Sequence, residues 1–174
     1  YRKYYGDEIR TVVFYLSPAN VRDTAFLIWD YPEITEEDDQ WLYLPAMRKV
    51  RRISAADRGD YFLGTDFTYE DIKLDGKLEP NDYEFTLLGE QGEGETHYFQ
   101  LAGVPRTEAI ASELGYSRME ILIDSSNYMI VEAKFWDLKG NELKTLEVSD
   151  IVEIDGIWTR GKLTINNQIG RAHV

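Results

Sequence analysis

The feature that most restricts this chain is an alternation of apolar and polar residues with a period of two, repeated along most of its length. Met119, Ile121 and Ile123 fall on one face of such a run, with Arg118, Glu120 and Asp124 on the other. Tyr83, Phe85 and Leu87 alternate with Glu84 and Thr86, and Phe99 and Leu101 with Tyr98 and Gln100. Ile157, Leu163 and Ile165 share a face opposite Arg160 and Lys162. One dry face and one wet face is the habit of antiparallel strands.

The punctuation agrees. Gln91-Gly92-Glu93-Gly94, Asp124-Ser125-Ser126-Asn127, Lys139-Gly140-Asn141 and Asp155-Gly156 read as turns between alternating runs. From Asp82 to Ile165 the chain therefore reads as a meander of about six strands. Upstream, Thr11 to Leu16, Ala25 to Trp29, Trp41 to Leu44 and Arg48 to Ile53 are strand-like. Ala25-Phe26-Leu27-Ile28-Trp29 is apolar on both faces, so alternation does not assign its inward side. Helix is scarce. Asp66 to Ile72 suits a short turn capped by Thr65 or Asp66, Ser54-Ala55-Ala56-Asp57 has the spacing of a capping box, and Thr107 to Leu114 suits a second short helix. The pattern predicts a mainly β (α+β) domain: a barrel, a half-barrel or a sandwich.

Composition narrows the partners. The 174 residues suit one domain, and 12 Tyr, 7 Phe and 4 Trp favour strands while also supplying rings that can line a cavity. A net charge of −13 repels phosphate backbones, so nucleic acid is excluded as a partner unless a local basic patch dominates. With no Cys there is no disulfide framework, thiolate nucleophile or cysteinyl metal site. No stretch approaches the roughly 18–20 apolar residues of a membrane span. The chain opens without an apolar leader, and reads as a processed form or a fragment. The final Ile169-Gly170-Arg171-Ala172-His173-Val174 matches a translated sequencing adapter, so we expect 1–168 to be the domain and 169–174 an artefact.

Chemistry is hard to place. His97 has no partner at metal or triad spacing, and there is no nucleophile elbow, metalloprotease motif or phosphate loop. Carboxylates are plentiful, yet none is singled out for acid–base work. Glu36-Glu37-Asp38-Asp39 lacks the alternate spacing of a calcium loop and reads as a solvated run. No catalytic residue, metal site or cofactor is expected. Against the acidic background, Arg48, Lys49, Arg51, Arg52 and Arg58 form a basic cluster. It suits either a strand pairing with nearby acids or contact with a lipid headgroup or acidic partner.

Three blocks carry a resemblance. Ser17-Pro18-Ala19-Asn20-Val21-Arg22-Asp23-Thr24-Ala25-Phe26-Leu27 resembles the P-x-D-V-K-G-T-x-L segment of the outer-membrane lipoprotein-sorting (LolA-like) family, with Asn20 and Asp23 in place of its usual Asp and Gly. Asp39-Gln40-Trp41-Leu42-Tyr43-Leu44-Pro45 is similar to its D-x-W-x-Y-L-P run, followed by Arg51-Arg52-Ile53. Phe62-Leu63-Gly64-Thr65-Asp66-Phe67-Thr68-Tyr69-Glu70-Asp71 resembles its F-x-G-S/T-D-F-x-Y-E-D signature. The likeness extends from Ile9 to Asn167, with Phe135 to Gly140 and Asp155 to Trp158 also fitting.

The resemblance implies a curved antiparallel sheet, an incomplete barrel covered by short helices, whose apolar concavity holds acyl chains of a lipid or lipoprotein. It also implies a periplasmic, non-enzymatic carrier, with an inner-membrane lipid exporter or an outer-membrane acceptor as partner. From the alternation, Tyr83, Phe85, Leu87, Phe99, Leu101, Met119, Ile121 and Ile123 are the candidate cavity residues, and Trp41 and Tyr43 are added to them. Charge at Phe99 or Ile121 is expected to abolish lipid binding. Arg48, Arg51, Arg52 and Arg58 are candidates for headgroup or partner contact. The rival reading is an accessory module that docks on an envelope lipid-export transporter, using the basic cluster and the Gly64–Asp71 signature as its surface.

Overall fold

In the computed structural model, which describes residues 1–32, 38–74, 80–93 and 96–167, the chain forms two curved antiparallel sheets that do not close into a barrel. The tail 169–174, Glu36 and Glu37 of the acidic run, and Gly94 of the hairpin loop lie outside the described residues. The first sheet runs in chain order: β1 (Arg2–Tyr5), β2 (Glu8–Phe14), β3 (Ala25–Asp30), β4 (Asp39–Leu44) and β5 (Lys49–Ile53). After it come α1 (Tyr69–Leu74), β6 (Tyr83–Glu93), β7 (Thr96–Pro105), α2 (Glu108–Leu114), β8 (Arg118–Asp124), β9 (Ile130–Trp136), β10 (Glu142–Ser149), β11 (Val152–Ile154), β12 (Ile157–Thr159) and β13 (Lys162–Asn167). The second sheet has the order β13-β10-β9-β8-β7-β6, and β11 and β12 form a separate hairpin.

The meander expected from the alternation is thus present, with one correction. Ile157 does not share a strand with Leu163 and Ile165. It belongs to the hairpin, whose turn uses Asp155 (φ 52°) and Gly156 (φ 80°), the left-handed pair that a tight two-residue loop requires. The Gly161 N–H bonds to the Asp150 carbonyl (3.0 Å) and closes the hairpin at its base before β13 begins.

Cross-strand register sorts the inner face of the second sheet into rows. Phe85, Gly103, Met119, Phe135, Lys144 and Asn167 are opposite one another in the first row. Leu87, Leu101, Ile121, Ala133, Leu146 and Ile165 make the second. Phe99, Ile123 and Ile130 continue into a third. Leu114 and Tyr116, at and just after the end of α2, pack on the first row and complete one core with Tyr83. Thr107 caps α2 by accepting the Ile110 N–H (3.2 Å), and Gly115 ends it in the left-handed region (φ 79°).

The first sheet has its own core: Phe26, Ile28, Leu42 and Ile53, covered by Phe62 and Tyr69. Phe62 stacks near Tyr15 (5.0 Å), Phe26 (5.4 Å) and Tyr69 (5.2 Å). This settles the inward side of β3. Phe26 and Ile28 point in, while Trp29 points out, covered by the Arg10 guanidinium (4.1 Å) and the edge of Trp41 (5.1 Å).

Helix α1 joins the two halves. Six residues cannot hold a helix alone, so its caps and contacts decide. Thr68, rather than Thr65 or Asp66, is the cap: its Oγ1 accepts the Asp71 N–H (3.1 Å), and Asp71 Oδ2 accepts the Thr68 N–H (2.7 Å). By contrast, Ser54 makes no side-chain cap at Ala55–Asp57. From the same helix, Asp71 also reaches the second sheet. Its Oδ1 accepts from the Tyr116 hydroxyl (2.7 Å), and its Oδ2 accepts from Lys144 Nζ, which also donates to the Asp66 carbonyl (3.2 Å). On the other side, Glu70 Oε2 accepts from Gln40 Nε2 of β4 (3.2 Å). Within the signature segment Thr68, Tyr69 and Glu70 are buried and form a joint, while Gly64 and Thr65 at its start are exposed.

Candidate functional site

Beyond the joint, the inner face of the second sheet is left open. A cavity of about 940 Å³ lies there, floored by Phe85 of β6, Leu101 of β7, Ile121 and Ile123 of β8, Ile130 of β9 and Val148 of β10. Its size falls within the usual range for small-molecule sites, about 300–1,000 Å³. The rows explain its position. The first row is filled by the core and by the aliphatic stem of Lys144, whereas Leu101, Ile123 and Ile130 of the second and third rows are only partly buried. Gly103 shapes the floor: an added Cβ would lie 2.8 Å from Phe85 Cε1 and 3.0 Å from Met119 Cε, so only glycine lets the Phe85 ring lie across β7. The remaining wall is Tyr128 and Met129 from the β8–β9 turn, Trp158 and Thr159 from the hairpin, Pro80, Arg160, and Arg2 of β1. The Arg2 Nε donates to Thr11 Oγ1 (3.1 Å).

A second cavity of about 820 Å³ includes Val13, Tyr15, Phe67, Ile72 and Leu163, and shares Arg2 with the first. The Tyr15 hydroxyl is buried there with no hydrogen-bond partner among the described residues, and burial pushes its pKa up to about 12. An orphaned buried hydroxyl costs roughly 1–3 kcal/mol. Tyr15→Phe is therefore expected to raise stability by about 1 kcal/mol in urea unfolding, and a loss of stability would show that the hydroxyl is satisfied.

Four of the ten cavity candidates line the first cavity, of about 940 Å³: Phe85, Leu101, Ile121 and Ile123. Tyr83 and Met119 share their face but are packed into the core. Phe99 shares it beyond the cavity lining, and Leu87 is 59% exposed beside the bulge that interrupts the β6–β7 register. Trp41 and Tyr43 are a correction. They alternate with buried Gln40 and Leu42, so they lie on the outer face of the first sheet. Ile130, Val148, Met129 and the hairpin residues are lining that the alternation did not single out. Val148 carried a findable signal, since it extends the spacing of Lys144 and Leu146.

The basic cluster divides. Arg48, Arg51 and Arg52 are exposed; Arg51 pairs with Asp57 (3.4 Å) and Arg52 with Asp39. Arg58 is a correction: it is 3% exposed, and its guanidinium donates to Glu113 of α2 and to the Asp38 carbonyl (2.6 Å). It fastens α2 to the first sheet. Nearby, Lys73 sits among Glu70 (3.2 Å), Asp30 (3.9 Å) and Asp38. Burial alone would lower its pKa, but those carboxylates outweigh it and hold the ammonium above the ordinary lysine value. Lys144 differs. Its burial outweighs Asp71 and holds it below the ordinary value. Burial, reinforced by Asp71, raises the Tyr116 phenol well above its ordinary range, so it stays a donor. Among the described residues no cluster of three or more metal-ligating side chains converges, and no helix is long and apolar enough to cross a membrane.

Comparison with known proteins gives this geometry a family. A family model whose description reads "-like: Uncharacterized protein" matches residues 7–173. No curated protein matches the chain. Among solved structures, the chain is similar to one described as an outer membrane lipoprotein-sorting protein domain from Vibrio parahaemolyticus, at 30% identity and a TM-score of 0.80. That match covers 94% of this chain and 66% of the other, so the chain spans about two thirds of its length. A DUF1329 family protein from Desulfovibrio piger ATCC 29098 matches at 28% identity and a TM-score of 0.82, over 95% of this chain and 68% of that one. A LolA superfamily protein from Nitrosomonas europaea has the same fold, at 19% identity and a TM-score of 0.64, over 94% and 69%. With two open, curved sheets joined by the signature helix and a family match over nearly its whole length, the chain belongs to the LolA-like family.

Proposed function

We propose that this protein is a non-enzymatic carrier that holds the acyl chains of a lipid or lipoprotein in the cavity on its second sheet, and works in the periplasm. The observation that carries this is the open floor of Phe85, Leu101, Ile121 and Ile123 in a space of about 940 Å³. Burying a methylene gains about 0.8 kcal/mol, so a few acyl chains bind tightly without specific polar contacts. Release then needs an acceptor, since free lipid is costly in water. The likeness to a lipoprotein-sorting domain supports the same reading, and an inner-membrane lipid exporter and an outer-membrane acceptor are the partners such a carrier would need. For the rival docking reading, Thr68, Tyr69 and Glu70 are buried and leave the start of the Gly64–Asp71 segment as its exposed part.

Native mass spectrometry of the purified protein, followed by organic extraction of the same sample, tests the proposal. Bound acyl-chain species are the expected result. A clean apo mass that takes up neither added fatty acid nor phospholipid would remove the carrier reading.

A further inference from the structure

We propose that one end of the first sheet docks on an anionic phospholipid bilayer, with Met47 and Val50 entering the headgroup layer and Arg48 and Lys49 meeting its phosphates. The register builds this surface. Phe14, Ala25, Tyr43 and Val50 are opposite one another on strands β2 to β5, so they form one row across the outer face. The turn between β4 and β5 holds Met47 at the end of that row. The loop between β2 and β3 holds Leu16 at the same end, because the start of β3 lies beside the end of β4. Phe14, Leu16, Met47 and Val50 are each more than half exposed, and Tyr43 is exposed with them. Single exposed apolar side chains are ordinary on a protein surface, whereas a contiguous group marks a contact. The turn that displays them is braced: the Met47 N–H bonds to the Leu44 carbonyl (3.2 Å) and the Arg48 N–H to the Pro45 carbonyl (3.1 Å).

Charge selects the occupant. Acids outnumber bases 32 to 19 in the whole chain, yet residues 16–23 and 44–50 at this end hold Arg22, Arg48 and Lys49 against Asp23 alone. Arg48 and Lys49 make no hydrogen bond or ion pair among the described residues. Arg51 and Arg52 are already taken up by Asp57 and Asp39, and add nothing here. A bilayer touching this end meets the local charge rather than the net −13, because fields are screened beyond about 8 Å at physiological salt. Apolar side chains beside cations suit a lipid interface: the former enter the acyl boundary, the latter stay with the phosphates, and a tyrosine sits at headgroup level. The centre of a protein interface is instead depleted in charge, and in lysine above all. Phe14 and Leu16 also line the second cavity, so a bilayer at this end lies beside it. Under the carrier reading, that is where cargo would pass.

Co-sedimentation with vesicles at physiological ionic strength tests the docking. One set is phosphatidylcholine alone, and the other is phosphatidylcholine and phosphatidylglycerol in equal parts. The protein is expected to pellet with the second set and to stay in solution with the first. Arg48→Gln/Lys49→Gln is expected to weaken that binding by about 25-fold, at about fivefold for each cation near an anionic surface. Met47→Ser/Val50→Ser is expected to weaken it by about tenfold. Ile154→Ser/Ile157→Ser, which alters exposed apolar residues on the hairpin instead, is expected to leave it unchanged. Failure of the unaltered protein to bind the phosphatidylglycerol vesicles would overturn the proposal and leave this end to an acidic protein partner. Undiminished binding by either first-sheet variant, shown folded by circular dichroism, would overturn it too, as would a loss confined to the hairpin variant. Lipid uptake is read separately, by extraction of vesicle-free protein. Protein that pellets yet yields no lipid keeps the docking and loses the carrier reading, and protein that carries lipid yet never pellets loses the docking alone.

Discussion

Replacing Asp71 with alanine is expected to cost about 3–5 kcal/mol, the usual result of removing one member of a buried ion pair. The partner left behind is Lys144, whose side chain is 0% exposed and whose ammonium, among the described residues, would keep the Asp66 carbonyl and the faces of Tyr116 (5.0 Å) and Phe135 (5.7 Å). The Tyr116 hydroxyl would lose its acceptor as well, and α1 would lose its capping box. Equilibrium unfolding in urea measures this directly. The double variant Asp71→Ala/Lys144→Met separates the causes, because it removes the stranded charge and keeps an apolar stem over Phe135. It is expected to be less destabilised than Asp71→Ala alone. A loss below about 1 kcal/mol for Asp71→Ala would mean that the joint is not what holds the sheets together.

For ligand binding, Ile123→Glu is expected to have the largest effect. Ile123 lines the cavity and is half-buried, so in the empty protein a glutamate there stays hydrated and the fold survives. An acyl chain laid against it would have to strip that water, at a cost of several kcal/mol. The affinity should fall by more than about a hundredfold. Ile121, the position that the alternation also indicates, is a poorer test: it is buried in the core, and a charge there would unfold the protein before it reported on binding. Phe99 faces the same way but lies outside the lining. Titration with a fluorescent fatty acid, with circular dichroism as the control for folding, decides the matter. Unchanged affinity in a folded Ile123→Glu protein would place the ligand elsewhere.

The sequence showed the second sheet better than the first, for a physical reason. Strands β6 to β8 have one solvated face, so polar residues mark every second position and the inner face follows. In β3 and β4 the outer face carries Trp29, Trp41 and Tyr43, which cover one another and are covered by Arg10, so both faces look dry. There Trp41 and Tyr43, expected in the cavity, lie on the outer side. Neither could a local pattern show the hairpin wall. The break at Arg160–Gly161 depends on a backbone bond to Asp150, and nothing in the alternation of Ile157 and Leu163 marks it. Arg58 looked like its neighbours in a basic run because its partner, Glu113, is 55 positions away. The signature segment was legible as a motif, but its role was not, since that role is to touch two sheets at once.

That role bears on how the molecule comes apart. A chain with two separate apolar cores would ordinarily divide into two folding units, each able to melt alone. Here the Asp71 carboxylate receives donors from its own helix and from the second sheet, while the adjacent Glu70 is bonded to the first. Loss of either sheet leaves buried charge without a partner in the other, so partly unfolded forms are penalised from both directions. The contact that couples the two cores here is polar, which leaves the apolar surface between the sheets available for something other than stability.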